Sequence, residues 1–444
     1  MALPPPLHQP DSTQAAGVRT RVRFRVLAFL FALAAITYLD RVCISVTASA
    51  IMRDLQLSAV QMSFVFSAFT LAYGLFEIPT GHWGDRIGTR RVLTRIVTWW
   101  SAFTMATAAA FNYASLLLIR FLFGAGEAGA WPNAARTFAR WFPSAERGTA
   151  QGIFFMGAHL AGGLTPLLVT AMLGMMHWRI VFILFGLVGF VWAVAWYRWF
   201  RDEPVDHPAV SPAERNYIER GRLETAPHSA RMLDFLGLLR QRNMAALCLM
   251  YFTQTYGFYF YITWLPTYLE KVRGLGAMKL GLLAGLPLLL SVLADLGGGL
   301  ATDQAVRRFG LRWGRSAVGL LAFAGAAACM AIGAAAQQPT AAAIFIALAA
   351  AFSNFPLGAA WGAAVDIGGP RSGIVTACMN TAGQVGGMLS PVILAMVVRE
   401  FSTWAMPLYV TAALYALGGV CWLLIDASRP LRFAKEEPCR SSAV

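Results

Sequence analysis

Twelve stretches of mostly apolar residues succeed one another along the chain, at 26–48, 60–82, 92–110, 114–134, 148–173, 179–199, 244–268, 280–302, 316–336, 341–363, 373–398 and 405–426. Each is close to the roughly 20 residues that a helix needs to cross a bilayer, and most of the polar gaps between them are short. The pattern predicts an all-α membrane protein of twelve transmembrane helices. It excludes a soluble enzyme.

The polar gaps carry the topology. Taken alternately from the N-terminus, one set holds Arg19, Arg21, Arg23 and Arg25, then Arg86, Arg90, Arg91 and Arg95, then Arg136, Arg140 and Arg147. A long central segment follows, then Arg307, Arg308, Arg312 and Arg315, then Arg371, then the C-terminal tail. The other set holds only Arg53, Arg179, Lys271, Arg273, Lys279 and Arg399. By the positive-inside rule both termini are expected in the cytoplasm, in a bacterial inner membrane. This asymmetry accounts for the net charge of +14 without nucleic acid as a partner. A charged fraction of 13%, about half the soluble average, agrees with burial in lipid.

The expected organisation is a cytoplasmic tail at 1–25, a six-helix bundle at 26–200, a cytoplasmic central loop at 201–242, a second six-helix bundle at 243–426 and a cytoplasmic tail at 427–444. The first apolar run lacks a small-residue cleavage pattern and reads as a retained helix. Within the central loop, Ser211-Pro212-Ala213-Glu214 has the pattern of a helix start, with glycine at Gly221 as its end. This short surface helix is either a plain tether or a regulatory element. The six cysteines show no CxxC spacing and read as reduced packing residues, neither a disulfide framework nor a metal site.

The two halves repeat a motif. Gly81-His82-Trp83-Gly84-Asp85-Arg86-Ile87-Gly88-Thr89-Arg90-Arg91 follows the second run, and Gly299-Leu300-Ala301-Thr302-Asp303 with Arg307-Arg308 follows the eighth. Duplicated halves are a recurrent plan of secondary transporters, with the substrate site between them. The first of these stretches closely resembles the helix 2–3 loop signature of the major facilitator superfamily. Tyr38-Leu39-Asp40-Arg41, Arg120 to Ala128, and Trp141-Phe142-Pro143 with Glu146-Arg147 extend the likeness. The chain resembles the anion:cation symporter family within that superfamily, and in particular bacterial importers of sugar acids such as hexuronates, galactonate and glucarate. The resemblance implies the two pseudo-symmetric six-helix bundles of that fold.

Charges deep in the apolar runs are the candidate chemistry, since each costs about 2.5–3.5 kcal/mol at the bilayer centre on insertion scales. Asp40 and Arg41 are adjacent in the first run and point about 100° apart on a helix, which suggests separate roles. Arg120 and Glu127 are seven apart and share a helix face. The arginine fork suits a carboxylate; a purely structural bridge within each pair is the competing reading. The functional reading of the first pair is that Arg41 contributes to binding an anion while Asp40 carries a proton; the resemblance implies substrate binding and proton coupling for Arg120 and Glu127. It further implies substrate contacts from Tyr73, Tyr259, Trp361 and Asn380, with Gln384 on the same helix face as Asn380. Aromatic packing is the alternative for Tyr259 and Trp361. Where sugar-acid relatives commonly carry a glutamine, this chain has His159. Histidine titrates near neutrality, so His159 either replaces that polar contact, takes up a proton or packs neutral. Asp85, Arg86, Arg90, Arg91 and Asp303, with Glu77 and the Trp141–Arg147 segment, are expected to form gating and interdomain ion pairs. Asp295 and Asp366 carry no assignment.

The expected function is import of an organic anion by symport with protons, or with sodium, through alternating access of a monomer that carries no cofactor. No GxxxxGK[ST] loop occurs, which argues against ATP-driven pumping. The rivals are an exporter of drugs or metabolites and a non-transporting membrane sensor of the same fold. Two buried arginines argue against a cationic drug as cargo.

Overall fold

The structure is a computed structural model describing residues 20–220, 239–368 and 372–431. Each of the twelve apolar runs falls on helix. The first half comprises α1 (Val22–Asp54), α2 (Ala59–Ile87), α3 (Thr89–Thr107), α4 (Tyr113–Glu127), α5 (Ala130–Trp141), α6 (Ser144–Leu173) and α7 (Trp178–Trp199). A short helix, α8 (Pro212–Arg220), lies in the central segment. The second half comprises α9 (Arg242–Thr263), α10 (Leu265–Lys271), α11 (Ala277–Ala335), α12 (Pro339–Asn354), α13 (Leu357–Gly368), α14 (Ser372–Phe401) and α15 (Ala405–Leu424). Among the described residues, nine helical stretches are long and apolar enough to cross a membrane.

Local chemistry sets the boundaries. Ser58 and Asn112 open α2 and α4 with reciprocal capping boxes to Gln61 and Ser115, each satisfying two otherwise orphan donors. Three left-handed glycines cut what would be longer rods. Gly88 (φ 83°) separates α2 from α3, and Gly129 (φ 85°) breaks the fourth apolar run into α4 and α5. Gly310 (φ 75°) folds α11 into two arms. A side chain at any of these would strain the backbone. The run predicted as one helix at 114–134 is therefore two, and the break falls immediately after Glu127.

The repeat seen in sequence reappears as packing. Within the first half α1 lies on α6 and α3 on α7; within the second, α9 lies on α14 and the second arm of α11 on α15. Across the seam, α6 packs on the first arm of α11 and α2 packs on α14. Exchanging the halves turns one of these pairings into the other. Close approach is possible because the seam is lined by small residues: a Cβ at Gly285 would overlap the carbonyl oxygen of Gly163, and one at Gly281 would lie 2.9 Å from the Leu167 backbone. Ser67 Oγ donates to the Met388 carbonyl at 2.7 Å, and Phe66 meets Trp264 edge-on at 5.4 Å. These contacts lie toward the end of the bundle opposite the termini.

The described part of the central segment, residues 201–220, is tied to the first half, while Gly221, expected to end its helix, lies outside the described residues. Ser211 caps α8 as expected, accepting from Glu214 N at 3.2 Å. Glu214 itself is fully buried and turns to the start of α1. It accepts from Thr20 Oγ1 (2.6 Å), Val22 N (3.0 Å), Arg23 N (3.3 Å) and Arg23 Nη1 (3.0 Å). A carboxylate at a helix N-terminus meets both orphan amides and the positive end of the dipole. Arg23 also pairs with Glu146 at the start of α6, which accepts in addition from Tyr217 Oη at 2.7 Å. One of the four N-terminal arginines is thus an internal clamp rather than a free surface charge.

Candidate functional site

Four ionisable residues of the first half gather between α1, α3 and α4. Arg41 Nε donates to Glu127 Oε1 at 2.5 Å, and the Arg41 Nη2 atom also pairs with that oxygen. The same-helix bridge of Arg120 with Glu127, the competing reading from sequence, is not formed; Glu127 pairs with Arg41 of another helix. Glu127 is the last residue of α4, so the break at Gly129 presents it to α1. Glycines hold the neighbours close. A Cβ at Gly126 would overlap the Trp99 ring, and one at Gly124 the Phe69 carbonyl.

Arg120 is buried with its Nε unpartnered and, among the described residues, has no carboxylate at ion-pair distance. Both guanidinium groups lie over the Phe69 ring, Arg41 at 5.1 Å and Arg120 at 5.3 Å. Arg41 also lies over Tyr73 (4.9 Å) and Tyr38 (5.6 Å), and Arg120 over Phe123 (4.3 Å). Aromatic faces attract cations without neutralising them; Arg41 is engaged by Glu127, and the Arg120 guanidinium is the one left without an ion pair among the described residues. Asp40 faces α3, toward Trp100 and Thr104, with Arg120 and Glu127 as the charges that act on it. By strict geometry neither carboxylate oxygen is hydrogen-bonded among the described residues; Thr104 and Trp100 are the polar groups they face. Asp40 and Arg41 therefore point apart, as their adjacency predicted.

The second half completes the surroundings. Tyr259 faces Thr70 and Arg41 across the seam. Asn380 Nδ2 donates to both oxygens of Glu77, at 3.2 and 3.4 Å. Gln384 lies against Gly74, one turn further along α14. Trp361 packs edge-on against Tyr251, ring centroids 6.2 Å apart. His159 Nδ1 lies 2.8 Å from Asp295 Oδ2 on the first arm of α11, so this histidine bridges the two halves. Its ring also meets Tyr38 at 5.9 Å and Phe258 at 6.5 Å.

Three of these residues were not assigned to the site from sequence. Glu77, grouped there with gating ion pairs, is one turn from Tyr73 on α2 and hydrogen-bonds an amide rather than a cation. Asp295 was unassigned, and Tyr251, which interacts with Tyr38, Glu77 and Tyr259, was not singled out. An acid in the middle of an apolar run was the available signal for Asp295. Nothing in sequence marks Tyr251 among the tyrosines of α9.

The expected gating residues are dispersed. Arg90 donates from Nε (2.8 Å) and Nη2 (2.6 Å) to the Tyr197 carbonyl, and its amide donates to Asp202 at 2.9 Å. Its guanidinium thus ties α3 to α7 within one half and, among the described residues, makes no interdomain ion pair. Arg91 faces outward. Asp303 is exposed and, among the described residues, forms no ion pair, whereas Arg315 at that end of the second half pairs with Asp366 at 2.7 Å. Asp85 and Arg86 occupy the last turn of α2, and their side chains lie outside the described residues, as does Arg371. No group of acidic, histidine or cysteine side chains among the described residues is arranged to hold a metal ion.

Two homologous bundles closing on a buried arginine–carboxylate cluster define a membrane transporter of the secondary type, and the chain belongs to the Major Facilitator Superfamily, whose profile matches residues 30–364. It is 32% identical to the probable sulfoacetate transporter SauU of Cupriavidus necator, over 92% of this chain and 95% of that one. It is 30% identical to the probable galactarate/D-glucarate transporter GudP of Bacillus subtilis, over 87% and 88%. With the hexuronate transporter of Bacillus subtilis it shares 28% identity over 86% and 89%. Among solved structures, an inward-facing, unoccupied bacterial homolog of the human lysosomal transporter Spinster superposes with a TM-score of 0.73. That likeness, at 20% identity over 93% of this chain and 98% of the other, establishes the fold.

Proposed function

We propose that the protein imports an organic anion of the sugar-acid class by proton symport, through alternating access of its two halves about the seam. The observation that carries this reading is the arginine cluster. Arg41 is held by Glu127, while Arg120, among the described residues, has no carboxylate at ion-pair distance and feels Glu127 and Asp40 only from further off. In this reading an ionised Glu127 competes with the anion for the Arg41 fork. Protonating Glu127 releases Arg41, and together with Arg120 it then takes the incoming carboxylate. Asp40 is the second proton site. Asn380, Gln384, Tyr73 and Tyr259 offer donors and acceptors suited to the hydroxyls of a sugar acid.

In this reading, which takes twelve spans and both termini in the cytoplasm, the seam contacts near the opposite end close the periplasmic side. Opening that side requires the glycine-lined contact of α6 with α11 and the His159–Asp295 bridge to part. A second reading, a short organosulfonate as cargo, is favoured by His159 in place of the family's glutamine and by the likeness to a sulfoacetate transporter. Both cargoes use the same arginines.

The experiment is a thermal-shift screen of purified protein against hexuronates, galactonate, glucarate and sulfoacetate. Stabilisation by a sugar acid that disappears in Arg120→Ala supports import of that class. Stabilisation by sulfoacetate alone selects the second reading. Tight binding of neutral or cationic compounds overturns both.

A further inference from the structure

The first two turns of α3 carry more arginine than their contacts within the first half engage. Arg91 and Arg95 stand four apart on α3, hence on one face, and both are exposed. Among the described residues neither has a carboxylate partner. The nearby acid, Asp202, is already engaged by Thr89 and the Arg90 amide. Arg91 and Arg95 edge a groove of about 420 Å³ between α3 and α7, lined also by Thr94, Thr98, Trp99 and Tyr197. Arg95 sits 4.2 Å over the Trp83 ring. The Trp99 indole N–H is tied to the Leu122 carbonyl at 2.9 Å, which fixes its ring as a wall.

We propose that this groove holds the headgroup of an anionic phospholipid from the surrounding bilayer. Charge complementarity argues for the occupant: two guanidinium forks about 6 Å apart along one helix suit a single phosphodiester. Clusters of arginine beside membrane helices read as sites for acidic lipids. The groove's floor argues for a lipid over a soluble anion. Beyond Arg95 the wall passes to Trp99 and Ala102, apolar surface along which an acyl chain can run and which bilayer tails would otherwise cover. The aromatic side chains Trp83 (38% exposed), Trp99 (41%) and Tyr197 (46%) place the groove at headgroup level. Neither arginine belongs to the transport cluster, so the inference is independent of cargo and coupling ion.

The test uses full-length protein purified in mild detergent, with native mass spectrometry of added phosphatidylglycerol, phosphatidylcholine or inorganic phosphate. The wild type should retain phosphatidylglycerol in preference to phosphatidylcholine. R91Q/R95Q should retain it about thirty-fold less, the weight of two arginines against an acidic lipid. T98W, which fills the groove and keeps both charges, should also lose it, and it carries the test should the double variant aggregate. Equal retention of the two lipids, wild-type retention by either variant, or displacement of the lipid by inorganic phosphate would overturn the proposal.

Discussion

Replacing Glu127 by glutamine removes the carboxylate that occupies Arg41 and leaves a side chain of the same size. Its effect on anion binding can be worked out from the site. Glu127 is the one carboxylate paired with Arg41 among the described residues, and its single Oε1 atom takes both Nε and Nη2. If the anion displaces that oxygen, Glu127 leaves as the neutral acid, because an ionised Glu127 stripped of the Arg41 fork would be a buried carboxylate without its ion-pair partner. Binding then takes up one proton. In the pH range where Glu127 is ionised in the free protein, the apparent Kd should rise tenfold per pH unit, or about 1.4 kcal/mol. The sign follows from the proton count: the complex holds more protons than the free protein, so affinity falls as pH rises. Involvement of Asp40 would steepen the slope toward a hundredfold. In Glu127→Gln the fork is permanently released, so binding should persist at alkaline pH with the slope reduced by one proton. Uphill uptake driven by a pH gradient should be lost while exchange of anion for anion survives. The assay is calorimetric or thermal-shift titration of purified protein with the anion returned by the screen, from pH 6 to 9. A wild-type affinity independent of pH, or an unchanged slope in Glu127→Gln, would refute the competition argument.

Glu214→Ala should destabilise the protein by about 1–3 kcal/mol, since it leaves the buried amides that open α1 without their acceptor and removes one of the two carboxylates that hold Arg23. Tryptophan-detected thermal unfolding checks this, and a midpoint within 1 °C of wild type would contradict it. Gly285→Val should wedge α11 from α6, because its Cβ would overlap the Gly163 carbonyl. Spin labels on the ends of α6 and α11 opposite the termini should move apart while size-exclusion behaviour stays normal; unchanged distances would sink the closed-seam account. Stoichiometry follows from voltage. Two protons per monoanion move one net charge, worth about 2.3 kcal/mol per 100 mV, so an inside-negative potential should accelerate uptake into proteoliposomes. Indifference to potential would leave one proton per monoanion.

Much of the architecture was legible because lipid imposes a simple rule. Without water to satisfy the backbone, each run must be helical, and its length and the arginine count of its flanks can be read directly. Charged residues within runs were equally visible, since lipid tolerates them only where they serve a purpose. Partnership was less visible. Arg120 and Glu127 share a face of one apolar run, yet a left-handed glycine two residues past Glu127 turns it toward Arg41 of another helix. Nearness to the signature groups Glu77 with the loop charges, whereas its spacing from Tyr73 places it at the site. The surface helix at Pro212 was recognisable from its cap. That its buried glutamate would close the start of α1, about 190 residues earlier in the chain, was not.

The amino-acid order alone determined that this chain is helical, lipid-embedded, duplicated and equipped with buried arginines and acids. Hydrophobic length and the expense of charge in hydrocarbon act locally and leave their mark in every window of sequence. Which acid holds which arginine, that His159 meets Asp295 across the seam, and that Arg91 faces outward while Arg90 is tied down were decided only by tertiary structure. Those outcomes depend on interhelix distances of a few ångströms, set where glycines let backbones touch, and no single helix contains that information.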